Sequence, residues 1–217
     1  MGTFNAGEAG KIVYDLTAVI QKNRDYLSEI DGATGDGDHG VNMSKGFSIC
    51  REQLEGKVET IGFAEALETL GNVLLSEIGG SMGPLYGSFF LEMADNIRAK
   101  EQIGGSDFLE MLKAGLAGIT SIVPTKLGDK TMLDALVPAI DAFGAALAEG
   151  NGFCAALEAM KAAARDGREA TKDMIAKVGR AGRLGERSRG FYDAGATSCT
   201  LILTSVADSA LALIRPQ

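Results

Sequence analysis

The stretch Asp31-Gly-Ala-Thr-Gly-Asp-Gly-Asp-His-Gly-Val-Asn-Met43 places three carboxylates and the single histidine of the chain in one glycine-rich turn. Glycines permit the positive φ values and the close backbone approach that converging side chains need. Carboxylates this close repel one another, whereas a hard cation such as Mg²⁺ turns the repulsion into coordination by oxygen ligands. The stretch therefore predicts a metal site formed by Asp31, Asp36 and Asp38.

Other interpretations of this stretch are weaker. Gly35-x-Gly37-x-x-Gly40 matches the dinucleotide-binding fingerprint, but no strand-like run precedes it, and its two aspartates would repel a pyrophosphate. The EF-hand pattern fails because a third Asp or Asn and the closing Glu are missing. A helix-capping turn is the plain alternative, since Asp and Gly are common turn residues. The presence of His39 and Asn42 beside three aspartates favours the metal site.

The composition indicates one globular domain. The chain has 217 residues, of which 46% are hydrophobic and 23% charged, a balance typical of a domain with a substantial core. We therefore expect a single domain over residues 1–217. The net charge of −8 argues against a nucleic-acid-binding groove, which needs clustered Lys and Arg, so no nucleic-acid partner is expected.

The compartment is predicted from apolar segments and cysteines. The sequence contains neither a basic leader followed by an apolar run nor an apolar stretch of about eighteen residues. Cys50, Cys154 and Cys199 are widely spaced and form no zinc-binding or disulfide pattern, so we predict reduced core residues. A cytoplasmic protein without membrane association is expected.

Most of the chain is predicted to be helical. Apolar residues recur at spacings of three and four, and short or polar loops separate the periodic segments. Short loops make neighbouring helices antiparallel, which predicts an all-α fold, a bundle or closed barrel of eight antiparallel amphipathic helices. The predicted helices cover about residues 7–30, 41–57, 61–78, 84 to at least 93, 106–122, 131–148, 152–176 and 196–214.

Three further loops carry candidate binding motifs. Gly79-Gly-Ser-Met-Gly-Pro84 offers unhindered N–H groups and a hydroxyl before a helix, which suit a phosphate, although a simple interhelical turn fits as well. In the segment 128–134, Lys130 could neutralise a phosphate and Asp134 could hydrogen-bond a ligand, or the segment is a solvated helix cap. The arginine-rich segment 177–195 indicates contact with a ligand phosphate or an acidic partner, with plain solvation as the alternative.

Five motifs occur in a fixed order along the chain. They are Gly35-Asp-Gly-Asp-His-Gly-Val-Asn-Met43, Gly79-Gly-Ser-Met-Gly-Pro84, Gly128-Asp-Lys-Thr-Met132, Leu184-Gly-Glu-Arg-Ser188 and Asp193-Ala-Gly-Ala-Thr-Ser198. Together they resemble the nucleotide-binding L subunit of dihydroxyacetone kinases. The resemblance extends over about residues 7–214, and the order of five motifs makes it specific where any single motif is weak.

The resemblance implies a barrel of eight antiparallel helices with a nucleotide, ADP or ATP, at one end. It implies two Mg²⁺ ions that bridge the nucleotide phosphates and are held by Asp31, Asp36 and Asp38. Arg180 is expected to act catalytically by offsetting charge that develops during phosphoryl transfer. Positions that match nucleotide contacts of the family are His39, Val41, Asn42, Ser81, Met82, Met132, Arg180, Asp193, Ala194 and Gly195.

The resemblance also implies a phosphotransferase that needs a second subunit. In the family a separate subunit holds dihydroxyacetone, and the L subunit hands it the phosphoryl group. Some systems recharge bound ADP from a phosphotransferase-system protein, and others exchange it for ATP. We therefore expect a subunit of a small-ketose (glycerone) kinase of glycerol metabolism. The ketose, the phosphoryl donor and the stoichiometry stay open.

Several residues depart from the family pattern, among them Phe191-Tyr192, which replace a polar pair, and two departures bear on the function. Met82 stands where a hydroxyl residue is common, and Ala194 replaces a usual proline. These departures support an alternative function, a non-catalytic nucleotide-sensing module that docks on a regulator. A purely structural bundle is disfavoured because it leaves the acidic turn without a purpose.

Overall fold

Helices dominate the protein, whose computed structural model describes residues 2–214. Two short strands, β1 (Phe4–Asn5) and β2 (Gln102–Ile103), pair antiparallel, with Phe4 opposite Ile103. The helices are α1 (Lys11–Lys22), α2 (Arg24–Thr34), α3 (His39–Leu54), α4 (Phe63–Glu77), α5 (Met82–Ile97), α6 (Gly105–Ile122), α7 (Leu133–Ala148), α8 (Gly152–Ala170), α9 (Gly179–Gly182) and α10 (Ala194–Leu213).

Eight of these helices close a ring. Helix α1 packs against α3, the contacts continue in order through α4, α5, α6, α7 and α8 to α10, and α10 returns to α1. Short connections make the consecutive helices from α3 to α8 antiparallel. Helix α2 lies against α3 and α10, outside this sequence of contacts, and α9 is a single turn in the segment before α10. The predicted all-α bundle is confirmed.

The number of helices differs from the predicted eight, because residues 2–214 contain ten. The segment predicted as one helix over 7–30 is interrupted at Asn23, whose side-chain amide donates to the Val19 carbonyl at 2.8 Å. An asparagine that bonds a nearby carbonyl competes with the helical ladder, so α1 ends there and α2 begins as a separate helix. The other additional helix, α9, lies in a segment predicted to be a loop.

One end of the ring is closed by aromatic side chains. The rings of Phe108 and Phe143 lie 5.4 Å apart, and Phe153 lies within 6.0 Å of both. Phe4 from β1 stacks on Phe153 at 6.3 Å, and Phe63 from the start of α4 meets Phe4 edge-on at 6.0 Å. Aromatic pairs at such distances stabilise a core beyond the burial of their surface. These five residues define the aromatic end.

Helix α10 is long and apolar enough to cross a membrane, but its environment identifies it as a core helix. Its apolar window is 61% buried within the protein. It packs against α1, α7 and α8 of the same ring. Burial against other helices therefore accounts for its apolar composition.

The three cysteines are free thiols. Cys50 and Cys199 are buried, as predicted, and burial raises the pKa of each thiol to about 12. The prediction of a core position is wrong for Cys154, which is exposed in the first turn of α8. Its neighbours Phe153 and Ala156 take the buried positions, and the helical period turns Cys154 outward.

Candidate metal and nucleotide site

Three carboxylates meet where α2 ends and α3 begins. Asp31 lies in the last turn of α2, and Asp36 and Asp38 lie in the connection to α3. One oxygen from each side chain lies within 4.8 Å of the other two. Gly37 has φ +77°, a left-handed conformation that favours glycine, and it lets the connection reverse direction between the two aspartates.

Gly40 lets α3 start directly against α2. A Cβ at this position would overlap the Arg24 carbonyl and lie 2.6 Å from the Ser28 hydroxyl oxygen. The close approach puts the first turn of α3 beside the carboxylates, and the His39 backbone N–H donates to the Asp31 carboxylate at 3.3 Å. Free N–H groups of a helix start therefore lie next to the acidic residues.

The donor set fits Mg²⁺. The three carboxylates supply only oxygen ligands, which this hard cation prefers. Asp36 and Asp38 are 46% and 45% exposed, so water or phosphate oxygens can complete the coordination. The geometry is that of an open cation site rather than of an enclosed structural one. The assignment of these residues as ligands stays a prediction.

Arg180 reaches the carboxylates from the segment before α10. Its guanidinium pairs with Asp36, and its Nη1 atom lies 3.5 Å from an Asp38 oxygen. The structure thus brings together residues separated by 144 positions in the chain. A guanidinium at this place adds a positive charge and several donors where phosphate oxygens would lie.

Four helices begin at this end of the ring, the site end. The His39 Nε2 atom at the start of α3 lies 2.9 Å from the Ser198 hydroxyl near the start of α10. The Tyr86 hydroxyl near the start of α5 donates to the Gly195 carbonyl at 3.2 Å. Gly195 also lies against Met132, which precedes α7. Convergence of four helix N-termini creates a positive potential that suits anions.

A buried hydrogen-bonded network joins three of these helices. Ser198 lies between His39 and Tyr86, with the two hydroxyls 2.7 Å apart. Burial raises the pKa of Tyr86 and lowers the pKa of His39 to about 4, although the Asp31 charge opposes the second shift. His39 is therefore neutral near pH 7 and already bonded to Ser198. The role of Tyr86 was missed in the sequence, although a tyrosine on an apolar helix face needs a polar partner when buried.

The other predicted nucleotide contacts of α3 and α5 lie at the same end. Val41 is exposed and Asn42 half-buried in the first turn of α3. Ser81 is exposed before α5, and Met82 is half-buried against the core. Among residues 2–214, no hydrogen bond joins these four side chains to the carboxylates. Their contact with a nucleotide stays a prediction.

Residues 193–195 form the start of α10. The Asp193 carboxylate accepts a hydrogen bond from the Ala196 N–H at 2.7 Å and caps the helix. Burial raises the pKa of Asp193 to about 7. Ala194 is buried, and Gly195 accepts the Tyr86 hydrogen bond. Contacts with buried residues therefore fix residues 193–195 at the start of α10.

Lys130 and Asp134 do not face a ligand. The two carboxylate oxygens of buried Asp134 accept from the N–H groups of Gly128 at 2.5 Å and Thr131 at 2.7 Å, so this side chain holds the loop before α7 and is not a solvated helix cap. Lys130 is 2% exposed and donates to three backbone carbonyls. Its ammonium is thus unavailable to a phosphate, and burial lowers its pKa.

A model of the DAK2 domain matches residues 33–208. The chain therefore belongs to the DAK2 domain family. It is 36% identical to the PEP-dependent dihydroxyacetone kinase 2, ADP-binding subunit DhaL, of Listeria innocua, over 92% of this chain and 93% of the relative. It is also 36% identical to the PEP-dependent dihydroxyacetone kinase, ADP-binding subunit DhaL, of Escherichia coli, over 87% and 90% of the two chains. The resemblance seen in the motifs is confirmed.

The fold is shared with a solved kinase. A crystal structure of the dihydroxyacetone kinase from C. freundii in complex with AMP-PNP and Mg²⁺ matches with a TM-score of 0.71 and 25% identity. The match covers 93% of this chain and 33% of that chain. The present chain thus spans about a third of that kinase.

Proposed function

We propose that this protein is the nucleotide-binding, phosphoryl-transferring subunit of a kinase for a small ketose such as dihydroxyacetone. The observation that carries the proposal is the convergence of Asp31, Asp36 and Asp38 beside four helix N-termini. The carboxylates suit a cation, and the N-termini suit phosphates, so the site matches a metal-bound nucleotide. The names of the relatives, ADP-binding subunits of dihydroxyacetone kinases, support the same function.

The residues divide the work of phosphoryl transfer between charge neutralisation and positioning. Asp31, Asp36 and Asp38 would hold two Mg²⁺ ions, whose chemistry is to neutralise and orient phosphate oxygens. Backbone N–H groups at the starts of α3, α5, α7 and α10 would orient the phosphates. Arg180 would offset the charge that develops during transfer. The other nucleotide contacts predicted from the sequence would come from the same single domain.

The acceptor is expected on another polypeptide. His39 is neutral and bonded to Ser198, which makes it an orienting residue rather than the base that activates a sugar hydroxyl. Asp36 and Asp38 are open to solvent at the site end, so a second protein that holds the ketose can approach. We therefore include a dihydroxyacetone-binding kinase subunit as the partner that receives the phosphoryl group.

The nucleotide is proposed to be a bound ADP that a phosphoprotein recharges. Relatives at 36% identity are named PEP-dependent, and one from Lactococcus lactis is named PTS-dependent dihydroxyacetone kinase, ADP-binding subunit DhaL. Those names support a phosphotransferase-system protein as donor, with exchange for ATP as the alternative. A donor of this kind implies a cytoplasmic location.

The proposal is tested by reconstitution with a dihydroxyacetone-binding kinase subunit. Formation of dihydroxyacetone phosphate should require this protein, Mg²⁺ and either ADP with a phosphoprotein donor or ATP. Arg180→Ala should slow this reaction, and Arg187→Ala, a change in the same segment but outside the carboxylate cluster, is its matched control and should retain activity. Tight Mg·ADP binding without any transfer would contradict the proposal and favour the nucleotide sensor.

A further inference from the structure

The segment that carries Arg180 is a loop whose two ends lie together. We call residues 174–191 the arginine loop. At its base, the Gly190 N–H near the end of the loop donates to the carbonyl of Lys172, which precedes the loop, at 2.7 Å, and the Asp193 N–H donates to the Thr171 hydroxyl at 3.1 Å. The chain therefore leaves and returns at one narrow place, the neck of the loop.

The ammonium of Lys130 lies inside this neck. It donates to the carbonyls of Met174 at 3.2 Å, Ser188 at 2.5 Å and Phe191 at 2.8 Å. The first carbonyl belongs to the start of the loop, and the other two belong to its end. A lysine has three donors, and all three are used here. The buried ammonium thus links the two chain segments that form the neck.

The backbone conformation of Lys130 indicates that the side chain explains why a lysine occupies this position. Lys130 has φ +63° and is the one non-glycine residue with positive φ among residues 2–214. A lysine in this left-handed region costs free energy that a glycine would avoid. The cost is offset by an interaction that only a long cationic side chain provides.

The neighbouring contacts extend the attachment of the loop. The Ser188 hydroxyl accepts from the Ala176 N–H at 2.9 Å, and Lys177 pairs with Asp129 at 3.3 Å. Beyond these contacts, Arg180 extends 59% exposed to the carboxylates of Asp36 and Asp38. Attachment at the neck therefore determines where the guanidinium lies.

We propose that Lys130 is a positioning residue for nucleotide binding, which holds the neck of the arginine loop closed and thereby keeps Arg180 beside the carboxylates. Its effect on the nucleotide rests on the function proposed above. Its effect on the arginine loop is independent of that function, so the effect on the loop and the effect on nucleotide binding are measured separately.

Limited trypsin digestion measures the loop without any nucleotide. The loop contains cleavage sites at Lys177, Arg180, Arg183, Arg187 and Arg189. Lys130→Met removes the three donors and leaves buried carbonyls unpaired, so cleavage within the loop should become about tenfold faster. Lys130→Arg, which keeps the charge and the donors, should give an intermediate rate, and this comparison still tests the proposal if the methionine variant does not fold.

Lys161→Met is the matched control. Lys161 is 11% exposed and pairs with Glu158 and Asp208, away from the loop, so its loss should leave loop cleavage unchanged. Equal acceleration in the Lys130 and Lys161 variants would mean general destabilisation and would overturn the proposal. Unchanged cleavage in Lys130→Met would overturn it as well.

A double-mutant cycle measures the consequence for the nucleotide. By calorimetric titration, Lys130→Met should weaken Mg·ADP binding about tenfold in the wild-type background and hardly at all in an Arg180→Ala background, because Lys130 acts through Arg180. Additive losses would show that Lys130 acts by another route. If the wild-type protein does not bind Mg·ADP, the proposed function fails, whereas the digestion result still decides whether Lys130 holds the loop.

Discussion

The two ends of the helical ring are built in opposite ways. The aromatic end is closed by five phenylalanines that are buried and in mutual contact. The site end has converging carboxylates, exposed glycines and four helix N-termini. Unpaired N–H groups and like charges cost stability, so they are tolerated where a stable core lies behind them. The comparison indicates that one end provides folding stability, and we propose that the other provides binding.

The largest expected effect is a loss of stability at the aromatic end. Phe143 is fully buried against Phe108 and Phe153, and Phe143→Ala should lower the free energy of unfolding by about 3–5 kcal/mol. Urea unfolding measures this loss. Mg·ADP affinity, measured by calorimetry on the fraction that is folded, should stay within about twofold because this change leaves the site end intact. A parallel loss of affinity would show that the two ends are not separable.

The second effect is a loss of binding at the site end without a loss of fold. Asp38→Asn removes one of the three carboxylates and should weaken Mg·ADP binding at least about 100-fold. The thermal midpoint should stay unchanged or rise, since like charges repel less. Asp25→Asn, at a side chain that is 98% exposed on α2, is the control. Unchanged affinity in a folded Asp38→Asn variant would defeat the metal assignment.

Arg180→Ala should act on the transfer rate rather than on stability. Loss of a charge-assisted contact to a phosphate oxygen should slow transfer to the ketose about 10- to 100-fold. The midpoint of thermal melting should hardly move, because the side chain is mostly exposed. Steady-state kinetics with the partner subunit measure the transfer rate, and melting curves measure the stability. Arg183→Ala is the control, and an equal effect of both changes would argue against a specific role of Arg180.

Tyr86→Phe is expected to have the smallest effect. It removes a hydroxyl that bonds Gly195 and Ser198, and the lost hydrogen bonds should cost about 1 kcal/mol in urea unfolding. Because this hydroxyl holds the start of α10 beside α5, Mg·ADP affinity should also fall slightly. A loss of stability as large as that of Phe143→Ala would show that the site end contributes as much to folding as the aromatic end.

Local signals in the sequence predict most of the fold. The helical period located α6 within one residue, at 106–122 against the observed Gly105–Ile122. The helical period does not reveal the break between α1 and α2 at Asn23, because that break depends on a side-chain hydrogen bond to Val19 rather than on hydrophobicity. The acidic turn was identifiable because its three carboxylates are close in sequence.

Long-range contacts explain what the sequence could not predict. Nothing local places Arg180 beside Asp36, since 144 residues separate them. The sequence left two roles open for Lys130, and only the packed loop shows that its charge faces backbone carbonyls. In the same way, Tyr86 acquires its partners only when α5 and α10 meet.

The most direct test is the identification of what the purified protein carries. The wild-type protein and Asp38→Asn would be denatured, and the released nucleotide and metal measured by mass spectrometry and elemental analysis. We predict ADP together with Mg²⁺ from the wild-type protein and neither from Asp38→Asn. A wild-type protein that carries no nucleotide, and that binds neither ADP nor ATP when Mg²⁺ is added, would contradict the assignment of the site end as a metal and nucleotide site.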